Sequence, residues 1–168
     1  MIHSHLSVVL SNGTELRHLP PITNRSSVMY LVRLVYASSI SPHFTPKDIP
    51  QILESARSHN QSNNVTGLLC FNQEIFLQCL EGSRTMVNNT YHRILNDPRH
   101  KKIIMLDYKE IVEREFDQWS MGYIPGSSLT QHVNLKYSGT PGFNPYDMSG
   151  ESAHLLMNAL KEAVPTQT

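Results

Sequence analysis

Gln78 lies inside the apolar run Ile75-Phe76-Leu77-Gln78-Cys79-Leu80, where its polar side chain is out of keeping with its neighbours. A primary amide carries two donors and a carbonyl with two lone pairs, and each group left unpaired on burial costs about 1–3 kcal/mol. Gln78 therefore needs polar company, either as a structural glutamine tied to backbone or as a group that chemistry uses. Tyr36 ends the run Leu31-Val32-Arg33-Leu34-Val35-Tyr36. It is an ordinary core tyrosine or an oxidisable phenol whose hydroxyl seeks a partner. Asn60 reads as a helix-end turn residue or a second recognition amide, and Arg93 as a solvated face residue or a cation beside a ligand. Together these types suit a flat heterocycle: apolar groups on its faces, amides and a guanidinium at its edge.

The elements that must position them follow from periodicity. Residues 31–36 are apolar and β-branched, which predicts a first strand ending at Tyr36. Thr45-Pro46-Lys47-Asp48 supplies a cap, a proline for the first turn and an acid. Ile49, Ile52, Leu53 and Ala56 follow at helical spacing, so a helix is expected over 46–59. Residues 66–71 and 75–80 predict a hairpin about Asn72-Gln73. A second helix is expected to begin at Glu81-Gly82-Ser83, burying Met86, Val87, Tyr91, Ile94 and Leu95, and to end near Asp97-Pro98. Strands over 103–108 and 119–124 complete a βαββαββ order. The fold class is thus α+β, a ferredoxin-like sheet with two helices on one face. On that plan Ile52, His59 and Asn60 of the first helix face Arg93, Ile94 and Asp97 of the second, with Ile52 and Ile94 flanking a bound ring.

Residues 31–36 and 75–80 are apolar on both alternating sets apart from Arg33 and Gln78, so the second sheet face also needs a cover. The expected cover is a helical pair in residues 125–168: a short helix with Leu129, Val133 and Tyr137, then one capped by Ser149 with Leu155, Leu156 and Leu160. Residues 1–28 carry Pro20-Pro21 and no sustained period. They read as a disordered extension, or as sequence ahead of a true start at Met29.

The 168 residues balance 14 Lys and Arg against 14 Asp and Glu, which argues against nucleic acid or an anionic membrane as partner. No apolar run is long enough to span a bilayer, and no signal-like N-terminus precedes the pattern, so a cytoplasmic protein is expected. Cys70 and Cys79 suit a reducing compartment, although a bridge between neighbouring strands stays open. The nine histidines show no metal-ligand spacing.

Residues 29–124 resemble the BLUF family of flavin-based blue-light sensors. The likeness lies in RLVYAS (33–38), N-x-x-x-N-V-T-G-L-L-C-F (60–71), FLQCLEG (76–82), YHRILNDPRH (91–100) and WSMGY (119–123). The tail LKYSGTPGFNPYDMS (135–149) is similar to short PixD-type members, which carry two helices after the sensor and no output enzyme. The resemblance implies a photoactive pair, Tyr36 and Gln78, with FAD, or FMN or riboflavin sharing its ring, held by both and by Ile52, His59, Asn60, Arg93, Ile94 and Asp97. It further implies that Trp119 and Met121, on the last strand, relay the signal. A ring-like homo-oligomer, decameric on that pattern, and a response-regulator-like protein partner follow in the same way. Two rivals fare worse. An acylphosphatase-like hydrolase needs a glycine-rich anion loop that Ala37 to Ser41 lacks. An RNA-binding sheet of RRM type needs a basic face with exposed aromatics.

Overall fold

The computed structural model describes residues 30–164; the extension read over 1–28 lies outside the described residues. The element order is β1 (Leu31–Ile40), α1 (Asp48–Ser62), β2 (Thr66–Phe71), β3 (Ile75–Ser83), α2 (Arg84–Leu95), β4 (His100–Ile111), β5 (Gly122–Pro125), α3 (Gln131–Tyr137) and α4 (Gly150–Leu160). The strands form one five-stranded sheet in the order β4-β1-β3-β2-β5, antiparallel except for the parallel β2–β5 pair. This is the expected α+β, ferredoxin-like arrangement with a fifth strand added beside β2.

Two apolar layers sandwich the sheet. Leu34, Tyr36, Phe76 and Leu80 face α1 and α2, meeting Leu53, Val87 and Tyr91. Val35, Leu77 and Cys79 face the tail, meeting Leu156, Met157 and Leu160 of α4. Cover on both faces explains why β1 and β3 read as nearly continuous apolar runs. Cys70 and Cys79 are both free and buried in the tail-side layer. Gly67 is required by close approach: a Cβ there would lie 2.1 Å from the Cys79 carbonyl oxygen. Among the described residues no helix is long and apolar enough to cross a membrane.

Several boundaries differ from expectation for local reasons. Tyr36 does not end its strand, because β1 continues to Ile40. Helix α1 begins at Asp48, not Pro46: the Thr45 N–H and hydroxyl both donate to the Asp48 carboxylate, holding residues 45–47 as a turn. It also runs on to Ser62, so Asn60 lies within its last turn. Glu81 and Gly82 belong to β3, and α2 starts after Ser83, whose Oγ accepts from Met86 N–H. Leu95 is exposed and Thr90 takes a buried place instead. Strand β4 extends well beyond 103–108 at both ends. In the tail, Leu129 precedes α3, and Leu155 is exposed on α4.

The fifth strand is only Gly122–Pro125, so Trp119 and Met121 precede it rather than lying on it. The reason is visible in their packing. Residues two apart in a strand share a face, yet Trp119 packs in the tail-side layer and Met121 in the helix-side layer. The chain must twist between them.

Candidate functional site

Helices α1 and α2 leave between them, over the sheet, a cleft of about 720 Å³ with its open mouth included. Each helix lines it with one stripe at i, i+3, i+4 and i+7: Ile52, Ser55, Ala56 and His59 from α1, and Thr90, Arg93, Ile94 and Asp97 from α2 and its end. Tyr36, Leu69, Phe76 and Gln78 form the sheet floor, and Asn60 lines the cleft as well. All eight residues singled out as ring-holding in the sequence therefore reach one cavity. The lining is apolar at Ile52, Ala56, Leu69, Phe76 and Ile94, with polar groups at Tyr36, Ser55, His59, Asn60, Gln78, Thr90, Arg93 and Asp97.

The floor is a short hydrogen-bonded line. Tyr36 and Gln78 are directly opposed on β1 and β3, which places both side chains on the same face. The Tyr36 hydroxyl donates to Gln78 Oε1, and Gln78 Nε2 donates to Met121 Sδ at 3.2 Å. Tyr36 is fully buried and Gln78 nearly so. Burial, with Tyr91 and Asp97 adding to it, pushes the Tyr36 hydroxyl far above its usual pKa and keeps the proton on oxygen. The Tyr91 ring lies 5.5 Å from that of Tyr36.

The segment bearing Met121 is tied to α1 through its carbonyls. Asn60 Nδ2 donates to Ser120 O at 2.7 Å and Arg57 Nε to Met121 O at 3.0 Å. Gly67 N–H donates to Trp119 O at 3.1 Å. Asn60 is thus neither a solvated turn residue nor solely a cleft group; one of its donors is committed to this loop.

At the rim, Arg99 grips Asp97 through Nε and Nη2, the latter at 2.6 Å from Oδ2. Burial raises the Asp97 carboxyl, but the Arg99 hydrogen bonds outweigh it and the net shift is downward. His59 contacts Thr90 Oγ1 at 3.3 Å, and burial followed by the Arg93 charge lowers its pKa. His100 pairs with Ser38 Oγ at 2.8 Å and is likewise lowered, chiefly by burial. Arg93 is exposed at the mouth and makes no ion pair among the described residues. A flat ring fits this donor set, since a cation and amide edges surround apolar walls.

Sequence reasoning missed Arg99 and His100, which lie within the stretch YHRILNDPRH but were not singled out. It also missed Ser55 and Thr90, although each falls on the helical stripe that already contained its neighbours. Trp119 is not in the cleft; it packs on the other side of the sheet.

Comparison with known proteins agrees with this geometry. The BLUF family, described as sensors of blue light using FAD, matches residues 31–122. The blue light- and temperature-regulated antirepressor BluF of Escherichia coli is 38% identical over 76 residues, 45% of this chain and 19% of that protein. The photoactivated adenylate cyclase subunit beta of Euglena longa is 29% identical over 92 residues, 54% of this chain and 11% of that protein. The chain thus spans about a fifth or less of these two relatives. Among solved structures, the BlsA photo-activated state superposes with TM-score 0.73 at 31% identity, over 82% of this chain and 99% of that one. The dark-state structure of BlrB gives TM-score 0.64 at 30% identity, over 78% and 97%. With the fold, the cleft and the matched segment in agreement, this chain belongs to the BLUF family of flavin-using blue-light sensors.

Proposed function

We propose that the chain is a blue-light receptor that takes FAD into the α1–α2 cleft, and that it signals through Tyr36, Gln78 and Met121 rather than by turning over a substrate. FMN and riboflavin share the ring and compete for the same walls. Ile52 and Ile94 would flank the ring; His59, Asn60, Arg93 and Asp97 would meet its edge. The observation that carries the reading is the line Tyr36 Oη to Gln78 Oε1 and Gln78 Nε2 to Met121 Sδ along the cleft floor.

Flavin, when bound, supplies blue absorption and an excited state that readily accepts an electron. Tyr36 is the oxidisable group at hand, and its buried proton has Gln78 as its one hydrogen-bonded acceptor. A half-turn of the Gln78 amide, or its tautomerisation, exchanges donor and acceptor at the two ends. After the half-turn, Nε2 faces Tyr36 Oη and Oε1 faces Met121 Sδ. A thioether cannot donate, so the Gln78–Met121 bond is lost. Because the Met121 carbonyl is held by Arg57, this change bears on the whole loop before β5. Such a two-state contact is what a switch requires.

The tail is the output in this reading, with Trp119 and Met121 as relay residues on opposite sides of the sheet. The match to BlsA and BlrB, which this chain covers over 99% and 97% of their lengths, supports the light-receptor reading. The PixD-type likeness points to a response-regulator-like partner and a ring-like homo-oligomer. Exposed Ile104, Met105, Leu135 and Leu155 offer apolar contact surface for either. Two free buried cysteines fit a cytoplasmic setting.

The test is spectroscopic. Protein loaded with FAD should be yellow, shift its flavin band to the red under blue light and recover in darkness. Tyr36→Phe should keep the flavin and lose the shift. Failure to take up flavin, or a normal reversible shift in Tyr36→Phe, would sink the reading.

A further inference from the structure

On the sheet face away from the cleft, the tail-side apolar layer is interrupted by a cluster of charges. Arg33 of β1 is 2% exposed. Its Nη1 lies 2.6 Å from His154 Nε2 on α4 and 3.3 Å from Glu115 Oε1, and its Nη2 lies 3.4 Å from Asp107 Oδ2 on β4. His154 Nε2 is also 3.2 Å from Glu115 Oε2. Glu115 belongs to the loop of residues 112–121 that ends at Met121. That loop is anchored at its other end by fully buried Glu81, whose Oε2 accepts from the Glu115 and Phe116 N–H groups at 3.0 and 2.9 Å.

The contact at His154 contains a conflict. Arg33 can only donate, so its bond to Nε2 needs a bare lone pair there. The Glu115 carboxylate can only accept, and its Oε2 has no hydrogen-bond partner as it stands among the described residues, so a bond from the same nitrogen to it needs a proton there. With the ring proton on Nδ1, His154 is held by Arg33. With a proton on Nε2, it is held by Glu115, and Arg33 is left to Asp107 and the other Glu115 oxygen. One nitrogen cannot satisfy both partners, so a small displacement of Glu115 decides between two arrangements. Buried ion clusters add little net stability over well-packed apolar side chains, but one placed between the sheet and a helix can specify position.

We propose that Arg33, Glu115 and His154 are positioning residues that pass the state of the Met121 loop to helix α4. This rests on the light-switch reading above. Met121, at one end of the loop, meets the cleft-floor glutamine; Glu115, nearer the other end, meets the tail. No other α4 side chain makes an ion pair among the described residues.

Hydrogen–deuterium exchange of the full chain loaded with FAD, in darkness and under blue light, tests this. Wild type should show a light–dark difference in the peptide spanning α4. Glu115→Gln and His154→Gln should lose that difference while keeping the flavin band and its reversible red shift, because neither touches the cleft. A merely structural role would speed α4 exchange equally in both states and leave the difference intact; that result overturns the proposal. So does a wild-type protein with a normal red shift but no light–dark change at α4. A missing red shift in wild type instead refutes the light-switch reading itself, so the two failures are separable.

Discussion

The bond between Tyr36 and Gln78 can be measured by a double-mutant cycle whose sign follows from burial. Tyr36 has no exposed surface, and its one hydrogen-bond acceptor is Gln78 Oε1. Gln78→Leu leaves the Tyr36 hydroxyl buried without a partner, a loss of about 1–3 kcal/mol. Tyr36→Phe leaves Gln78 Oε1 stranded at nearly unchanged volume, again about 1–3 kcal/mol. In the double variant both polar groups are gone and two apolar side chains of similar shape meet, so the loss should be about 1 kcal/mol or less. The two single losses therefore should not add, and the coupling should be at least about 1 kcal/mol. The assay is urea unfolding of the flavin-free protein, followed by the fluorescence of its one tryptophan, Trp119. Omitting flavin keeps ligand linkage out of the comparison. Single losses that add to within about 0.5 kcal/mol would show that the two groups do not depend on one another, and the reasoning would fail.

Two further outcomes follow from the geometry. A Cβ at Gly150 would lie 2.2 Å from Leu106 O and 2.7 Å from Asp107 Cβ, so Gly150→Ala must lift the start of α4 off β4; a loss of about 1–3 kcal/mol in urea unfolding is expected, although alanine favours helix. His59, His100 and His154 are all held below the ordinary value of 6.5, chiefly by burial, so their neutral forms are favoured in the fold. Their contribution is complete above pH 6.5 and is lost as pH falls through the lower folded values; the urea midpoint should drop between pH 7 and pH 5, less steeply in His100→Gln.

Much of the site was legible because it depends on local periodicity. Ile52 and His59 share a helix face by spacing alone, as do Arg93, Ile94 and Asp97, and the topology sets those faces opposite each other. Tyr36 and Gln78 could be suspected from their types, but their direct opposition depends on the β1–β3 register. The misreadings fall where side chains compete with the backbone: Asp48 holding Thr45 out of α1, and Ser83 capping α2 so that it starts at Arg84 rather than at Glu81. The segment 119–121 was misread as strand because its residue types suit one. Only its tertiary ties to Asn60, Arg57 and Gly67 show a twist that sends Trp119 and Met121 to opposite sides.

The sequence by itself determined the αβ order, the two apolar sheet faces and the helical stripes, because hydrophobic period and cap chemistry act within a few residues. It also carried the family motifs, which lie in unbroken stretches. Tertiary structure alone decided that Met121 meets the cleft-floor amide and that Asn60 holds the loop. It likewise decided that Arg33 is buried against Glu115 and His154, 82 and 121 positions away. Such contacts depend on which backbone segments the sheet brings within hydrogen-bonding reach, and no local pattern encodes that distance.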